Sequence, residues 1–333
     1  MNYNKFSRPN LIPDLQYNLR AKLDTGLKCN YNCFFCYYKN NLKDPELPLE
    51  EIKKRVQILK ESGMKEVDLS GGESTIHSKW FEILEYCNEN FERVSCLSNG
   101  SKLKSKNFTK KSLEKGLKEV LFSLHGYDEK SHDEIVGHKG AFKDIISAIR
   151  ACQEIGIDVR INCTVTSKNM KNLKTYSNLI KDLNPSQLNY LPLNYWDDAK
   201  NSKPEKYGEL STYIKQSIDI LENSNIEINV RYIPYCFMEG YERYVCNTYQ
   251  HIFDLKDWNI LIYDLKEPKK FTLEKAFNEA FNKRNYTYYK PKKCFECKFF
   301  KICDGVENNI KDTQDVYPIK GKKIENVMEF KCR

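Results

Sequence analysis

Leu19-Arg-Ala-Lys-Leu-Asp24-Thr-Gly-Leu-Lys-Cys29-Asn-Tyr-Asn-Cys33-Phe-Phe-Cys36 is the stretch on which the fold turns. Its first six residues read as a short strand, and three cysteines follow in the loop at the strand's C-terminal end. The same plan then repeats. Strands are expected at Glu66–Leu69, Arg93–Leu97, Glu119–Leu124, Val159–Thr166 and Gln187–Leu191. Helices are expected at Pro48–Ser62, Trp80–Glu89, Thr109–Lys115, Ala141–Ile155 and Leu173–Leu183. Leu49, Ile52, Val56 and Leu59 recur at helical spacing in the first, Thr109 is placed to cap the third, and Gly116, Gly156 and Pro185 stop their helices. Alternating strands and helices require right-handed crossovers and hence a parallel sheet, whose strands bury both faces and often close into a barrel. In such barrels the chemistry collects at the C-terminal rim. The cysteine loop, Gly71-Gly72-Glu73 and Asn99 follow the first three strands and fall on that one rim.

The C-x-x-x-C-x-x-C spacing is a metal signature. Three thiolates can hold three irons of a [4Fe–4S] cube and leave the fourth iron open, whereas electron-transfer cubes usually have four protein ligands. Zinc sites combine Cys or His pairs into four ligands, and after Cys36 the next cysteine is Cys87. The loop is therefore a poor closed zinc site and a good open cluster site. An open iron suits the amino and carboxylate groups of S-adenosylmethionine. Glu66-Val-Asp-Leu-Ser-Gly71-Gly72-Glu73 reads as a strand ending in two glycines, which admit a ligand close to the backbone, and an acid that can accept hydrogen bonds from an ammonium. By itself, Gly-Gly-Glu is more often just a turn.

Composition fits a large protein with a substantial core. The chain has 333 residues, a formal charge of +8 and 13 cysteines. No run approaches a membrane span, and the N-terminus lacks the apolar core of a signal peptide, so a cytoplasmic setting is expected, with thiols used for metal or redox chemistry. Cys87, Cys96, Cys152 and Cys163 stand singly in helix or strand patterns and read as buried inert thiols. The positive charge mildly favours an anionic partner, but scattered lysines are usually solvated surface. The densest stretch, residues 101–111, lacks the interleaved aromatics of a single-strand groove. No nucleic-acid module is evident. The five histidines show no paired spacing and suit surface or helix-cap positions, with His125 on the expected rim, within reach of a substrate.

The cysteine triplet followed by a strand-terminal Gly-Gly-Glu resembles the radical SAM superfamily over residues from about Lys22 to Leu193. The resemblance implies an α/β fold, a partial (β/α)6 TIM-type barrel over residues 15–195. It assigns Cys29, Cys33 and Cys36 to a SAM-binding [4Fe–4S] cluster, Phe35 to the adenine, and Gly71, Gly72 and Glu73 to the methionine amino group. Ser123 and Asn162 match strand positions near the SAM ribose or carboxylate. It also implies reductive cleavage of S-adenosylmethionine to a 5′-deoxyadenosyl radical, which abstracts hydrogen from unactivated C–H bonds, and an electron donor such as flavodoxin or ferredoxin.

Residues 196–333 read as a smaller Cys-rich α+β region. A helix is expected over Pro204–Asn223 and a strand over Ile226–Ile233. Pro291-Lys-Lys-Cys294-Phe-Glu-Cys297-Lys-Phe-Phe-Lys-Ile-Cys303-Asp-Gly305 is a second metal signature, and its C-x-x-C also fits zinc. The pattern resembles the auxiliary-cluster region called SPASM or, when shortened, twitch. That likeness implies one auxiliary [4Fe–4S] cluster on Cys294, Cys297 and Cys303, with Cys236 as fourth ligand and Cys246 or Cys332 as alternatives. Proteins with such tails often modify peptides or mature enzymes, and others act on small metabolites or nucleotides. Tyr232, Tyr235, Phe237, Tyr241, Tyr244 and Tyr249 either line a peptide groove or pack the second region. A non-catalytic iron–sulfur carrier or zinc scaffold is the remaining class.

Overall fold

The structure, a computed structural model, describes residues 16–193, 205–256, 267–313 and 315–331. Strands β1 (Arg20–Asp24), β2 (Glu66–Ser70), β3 (Arg93–Ser98), β4 (Leu117–Ser123), β5 (Asp158–Val165) and β6 (Gln187–Pro192) pair in chain order, all parallel. Two further strands continue the same parallel sheet past the six of the expected barrel: β7 (Glu227–Arg231), within the strand expected over Ile226–Ile233, and β8 (Val245–Cys246), which was not expected. The sheet curls. Arg20 on β1 reaches Glu119 on β4, with Nη1 2.7 Å from Oε1, although three strand spacings in a flat sheet would separate them by about 14 Å.

Helices α1 (Leu49–Glu61), α2 (Trp80–Asn90), α3 (Lys106–Glu114), α4 (Glu129–Val136), α5 (Ala141–Glu154), α6 (Leu173–Leu183) and α7 (Tyr207–Leu221) complete this part of the fold. All but α3 bury apolar side chains, as Ile52, Val56 and Leu59 do for α1; the buried residues of α3 are Thr109 and Ser112. Two differ from the sequence reading. Helix α3 begins three residues early because Ser105, not Thr109, caps it by accepting from the Phe108 amide; Thr109 is buried and its hydroxyl donates to the Leu103 carbonyl. Helix α4 was not expected. It is set by a capping box between Asp128 and Ser131 and by Gly137 in the left-handed region at its C-terminus.

The N-terminal end of the half-barrel is closed by charge. Arg20, Asp68, Glu119 and Arg160 are buried there, with Arg20 and Arg160 both pairing with Glu119 and both donating to the Lys256 carbonyl. Burial works against the Glu119 carboxylate, but the two guanidiniums outweigh it and hold its pKa below the usual range. The chain beyond β8 forms α8 (Thr248–His251), α9 (Leu273–Thr287) and a two-residue antiparallel pair, β9 (Tyr288–Tyr289) with β10 (Val306–Glu307). Among the described residues no helix is long and apolar enough to cross a membrane.

Candidate functional site

The three N-terminal cysteines lie in the loop after β1, each half-exposed. The loop is clamped onto the end of α4: the Asn32 and Phe34 amides donate to the Val136 and Ile135 carbonyls, both at 3.1 Å. These are carbonyls a helix end leaves unpaired. Gly137 is needed because a Cβ there would lie 2.6 Å from the Asn32 carbonyl oxygen. The thiols are neighbours. Burial pushes Cys29 up to about 11 and Cys33 up to about 12, and each feels its fellow cysteines as like charges. Holding such a set as thiolates calls for a cation among them.

Gly71 and Gly72 lie against the cysteine loop. A Cβ on Gly71 would overlap the Gly26 carbonyl oxygen, and one on Gly72 the Leu27 and Lys28 carbonyl oxygens. The Gly72 and Glu73 amides donate to Gly26 and Lys28, both at 2.9 Å. What approaches these glycines is the root of the cysteine loop itself. Glu73 is buried and braces the next strand. Its carboxylate accepts from Thr75, from the Ser98 hydroxyl at 2.9 Å and from the Asn99 amide at 2.6 Å. Burial raises its pKa, and these hydrogen bonds only partly offset that. Asn99 in turn donates to Asn30 at 2.9 Å and lies 4.0 Å from the Cys29 sulfur. The first three strand ends are thus tied together around the loop.

Ser123 and Asn162 are half-buried register partners on β4 and β5. Phe35 is half-buried and meets the His125 ring edge-on, with centroids 4.9 Å apart. The structure corrects the surface reading of the histidines, because His77, His125, His132 and His251 are all buried. His125 accepts from the Thr164 amide through Nδ1, and burial holds its pKa well below the ordinary value, so the ring is neutral and braces the ends of β4 and β5. Cys87, Cys96, Cys152 and Cys163 are fully buried as expected.

At the other end of the chain Cys236, Cys294, Cys297 and Cys303 line one cavity with Lys290 and Tyr317. Burial, reinforced by the neighbouring thiols, pushes Cys236 up to about 12, and burial does the same for Cys294. Cys246 lies elsewhere, beside Arg231 and Asp254, and Cys332 falls outside the described residues. Tyr235, Phe237 and Tyr249 are buried, Tyr235 stacking on Phe299 at 4.3 Å, so these aromatics pack the region rather than line a groove. Among the described residues no His, Cys, Asp or Glu side chains gather closely enough for a single metal ion. All-thiol donor sets are the chemistry that iron–sulfur cubes take, and the cysteines at both places fit it.

Residues 24–175 match the profile of the Radical SAM superfamily. The chain carries a radical SAM domain. Such domains hold a [4Fe–4S] cluster and S-adenosylmethionine. The antilisterial bacteriocin subtilosin biosynthesis protein AlbA of Bacillus subtilis (strain 168) is 28% identical over 184 residues, 54% of this chain and 40% of that protein. The S-adenosylmethionine-dependent nucleotide dehydratase RSAD2 of Siniperca chuatsi is 32% identical over 166 residues, 47% of this chain and 46% of that protein. The match thus spans about half or less of these curated relatives. The crystal structure of Streptococcus suis SuiB bound to precursor peptide SuiA superposes with a TM-score of 0.60 at 15% identity, covering 90% of this chain and 74% of that one. That likeness is one of fold. The sequence reading missed the α4 terminus with Gly137, for which the Asp128-to-Ser131 capping signal and the glycine stop were the available marks.

Proposed function

We propose that this chain is a radical SAM enzyme that acts on a peptide or protein. The observation that carries the reading is the rim loop of Cys29, Cys33 and Cys36, held by α4 and by the Gly71-Gly72 contact. A reduced cluster with S-adenosylmethionine, held there by Cys29, Cys33 and Cys36, would supply one-electron chemistry able to take hydrogen from a substrate carbon. The protein's part is placement. Asn99 and Glu73 fix the loop, Phe35 offers an aromatic face beside Cys36, and Ser123 and Asn162 present polar groups from adjacent strands. Residues from 196 onward form a SPASM/twitch-like region in which Cys236, Cys294, Cys297 and Cys303 hold one auxiliary [4Fe–4S] cluster. A peptide substrate is supported by AlbA, named for bacteriocin biosynthesis, and by the peptide-bound SuiB fold, which covers the C-terminal region as well. The nucleotide-acting relative RSAD2 supports a small anionic metabolite as the second reading.

The test is anaerobic reconstitution followed by dithionite and S-adenosylmethionine, with 5′-deoxyadenosine read by mass spectrometry. Peptides and nucleotides deuterated at carbon are then supplied separately. Deuterium carried into 5′-deoxyadenosine from a peptide pool supports the first reading. Transfer from nucleotides alone overturns it in favour of the second, and absence of cleavage under all conditions overturns both.

A further inference from the structure

The four-cysteine cavity has a wall residue of opposite charge. Lys290 follows β9 directly and is 5% exposed, an unusual depth for a lysine. Its placement is built in. Gly305 faces its stem, with a φ of +83°, and a Cβ there would lie 2.8 Å from Lys290 Cγ and 2.5 Å from the Tyr289 carbonyl oxygen. The ammonium donates to the Phe300 carbonyl and lies 4.6 Å from the Phe300 ring centroid. Arg284, a buried cation nearby, pairs with Asp304 at 2.8 Å. Lys290 lines the cavity that the four cysteines share.

We propose that Lys290 sets the reduction potential of the auxiliary cluster by serving as the fixed counter-charge of its four thiolates. This inference rests on the reading of that cavity as a cluster site. An oxidised cube with core charge +2 and four thiolates carries two negative charges, and taking up one electron makes three. In a dry site that added charge is costly, and a cation in the cavity wall lowers the cost. No bond forms or breaks; one electron passes from the titrant to the cluster. Lys290 is a positioning and tuning residue, not a ligand.

The experiment uses the full chain with Cys29, Cys33 and Cys36 replaced by alanine, so that only the auxiliary cluster gives a signal. Lys290→Met and Lys290→Arg are made in that background, reconstituted anaerobically and titrated with dithionite and mediators under electron paramagnetic resonance. The expected result is about four irons per chain in all three. In Lys290→Met the midpoint should fall by at least the equivalent of a tenfold change in the reduction equilibrium, about 59 mV for one electron. Lys290→Arg should stay close to the parent. Loss of the cube in Lys290→Met with retention in Lys290→Arg also supports the charge role. An unchanged midpoint in Lys290→Met overturns the assignment while leaving the cluster reading intact, and loss of the cube in both variants overturns it in favour of packing. A parent that binds no cube overturns the cluster reading and the inference together.

Discussion

Cys29, Cys33 and Cys36 are close in sequence and carried by one loop, whereas Cys236, Cys294, Cys297 and Cys303 come from two distant stretches and line one cavity. The first set is held through backbone: amides of the loop on α4 carbonyls, and glycines pressed against its root. The second is held through side-chain packing, with Tyr235 on Phe299 and Lys290 under Phe300. Three thiols on a rim reserve one iron for an exchangeable molecule, and four thiols around a cavity reserve none. The difference points to different duties. On the proposed reading, one site is open for chemistry and the other is closed for charge storage or bracing.

The sharpest way to break that comparison is to remove one ligand from each site. Cys33→Ala should reduce 5′-deoxyadenosine formation to the background of reductant alone. Cys236→Ala should retain the N-terminal cluster and measurable cleavage of S-adenosylmethionine, with product formation reduced more than cleavage. Equal abolition of cleavage by both variants, read by mass spectrometry of 5′-deoxyadenosine, would erase the distinction between an open and a closed site.

A second test concerns the backbone clamp. Gly72→Ala forces a methyl group onto the Leu27 and Lys28 carbonyls, which are backbone and have no flexible end to move aside. We expect a loss of about 3 kcal/mol in denaturant melts and loss of iron from the N-terminal site alone. Gly63→Ala is the control. It lies at φ +90° with open space around its Cβ position, and should cost only about 1 kcal/mol with iron unchanged. If Gly72→Ala retains both clusters, the glycines do not hold the loop.

Much of this arrangement was legible in the sequence because its signals are local. Strand-helix alternation located all six barrel strands, and the short cysteine spacings picked out thiols that the structure brings together at both places. What escaped is non-local. Val245–Cys246 is too short for a strand signal and is ordered by pairing with β7. The glycine pair at residues 71 and 72 was legible as a close approach, but what approaches it belongs to a loop far away in sequence. Thr109 resembles a cap locally, yet tertiary burial gave the capping role to Ser105. The histidines lack any periodic pattern, and their burial follows from which strand ends converge.

The two regions should also part company in acid, with an effect smaller than either substitution. His132 on α4 is buried, and burial pulls its pKa down to about 4, with Asp133 working weakly in the opposite direction. Its Nδ1 accepts from the His125 amide, its Nε2 has no hydrogen-bond partner, and the neutral His125 and Phe142 rings face it. Because the folded pKa lies below the unfolded value of about 6.5, the unfolded chain binds the proton more readily between these limits. Stability is therefore fully present above about pH 6.5 and is lost as pH falls toward 4. The loss from this residue comes to about 1.4 kcal/mol at pH 5.5 and roughly 3 kcal/mol below pH 4. His132→Asn keeps an acceptor for the His125 amide and cannot titrate, so its stability should depend less on pH by that amount. Hydrogen exchange at pH 5.5 against pH 7.5 locates the effect: residues 129–142 and the loop they clamp should lose protection before residues 288–307 do. Parallel loss in the two regions, or identical pH profiles for His132→Asn and the parent, would mean that the cysteine loop does not depend on this neutral histidine.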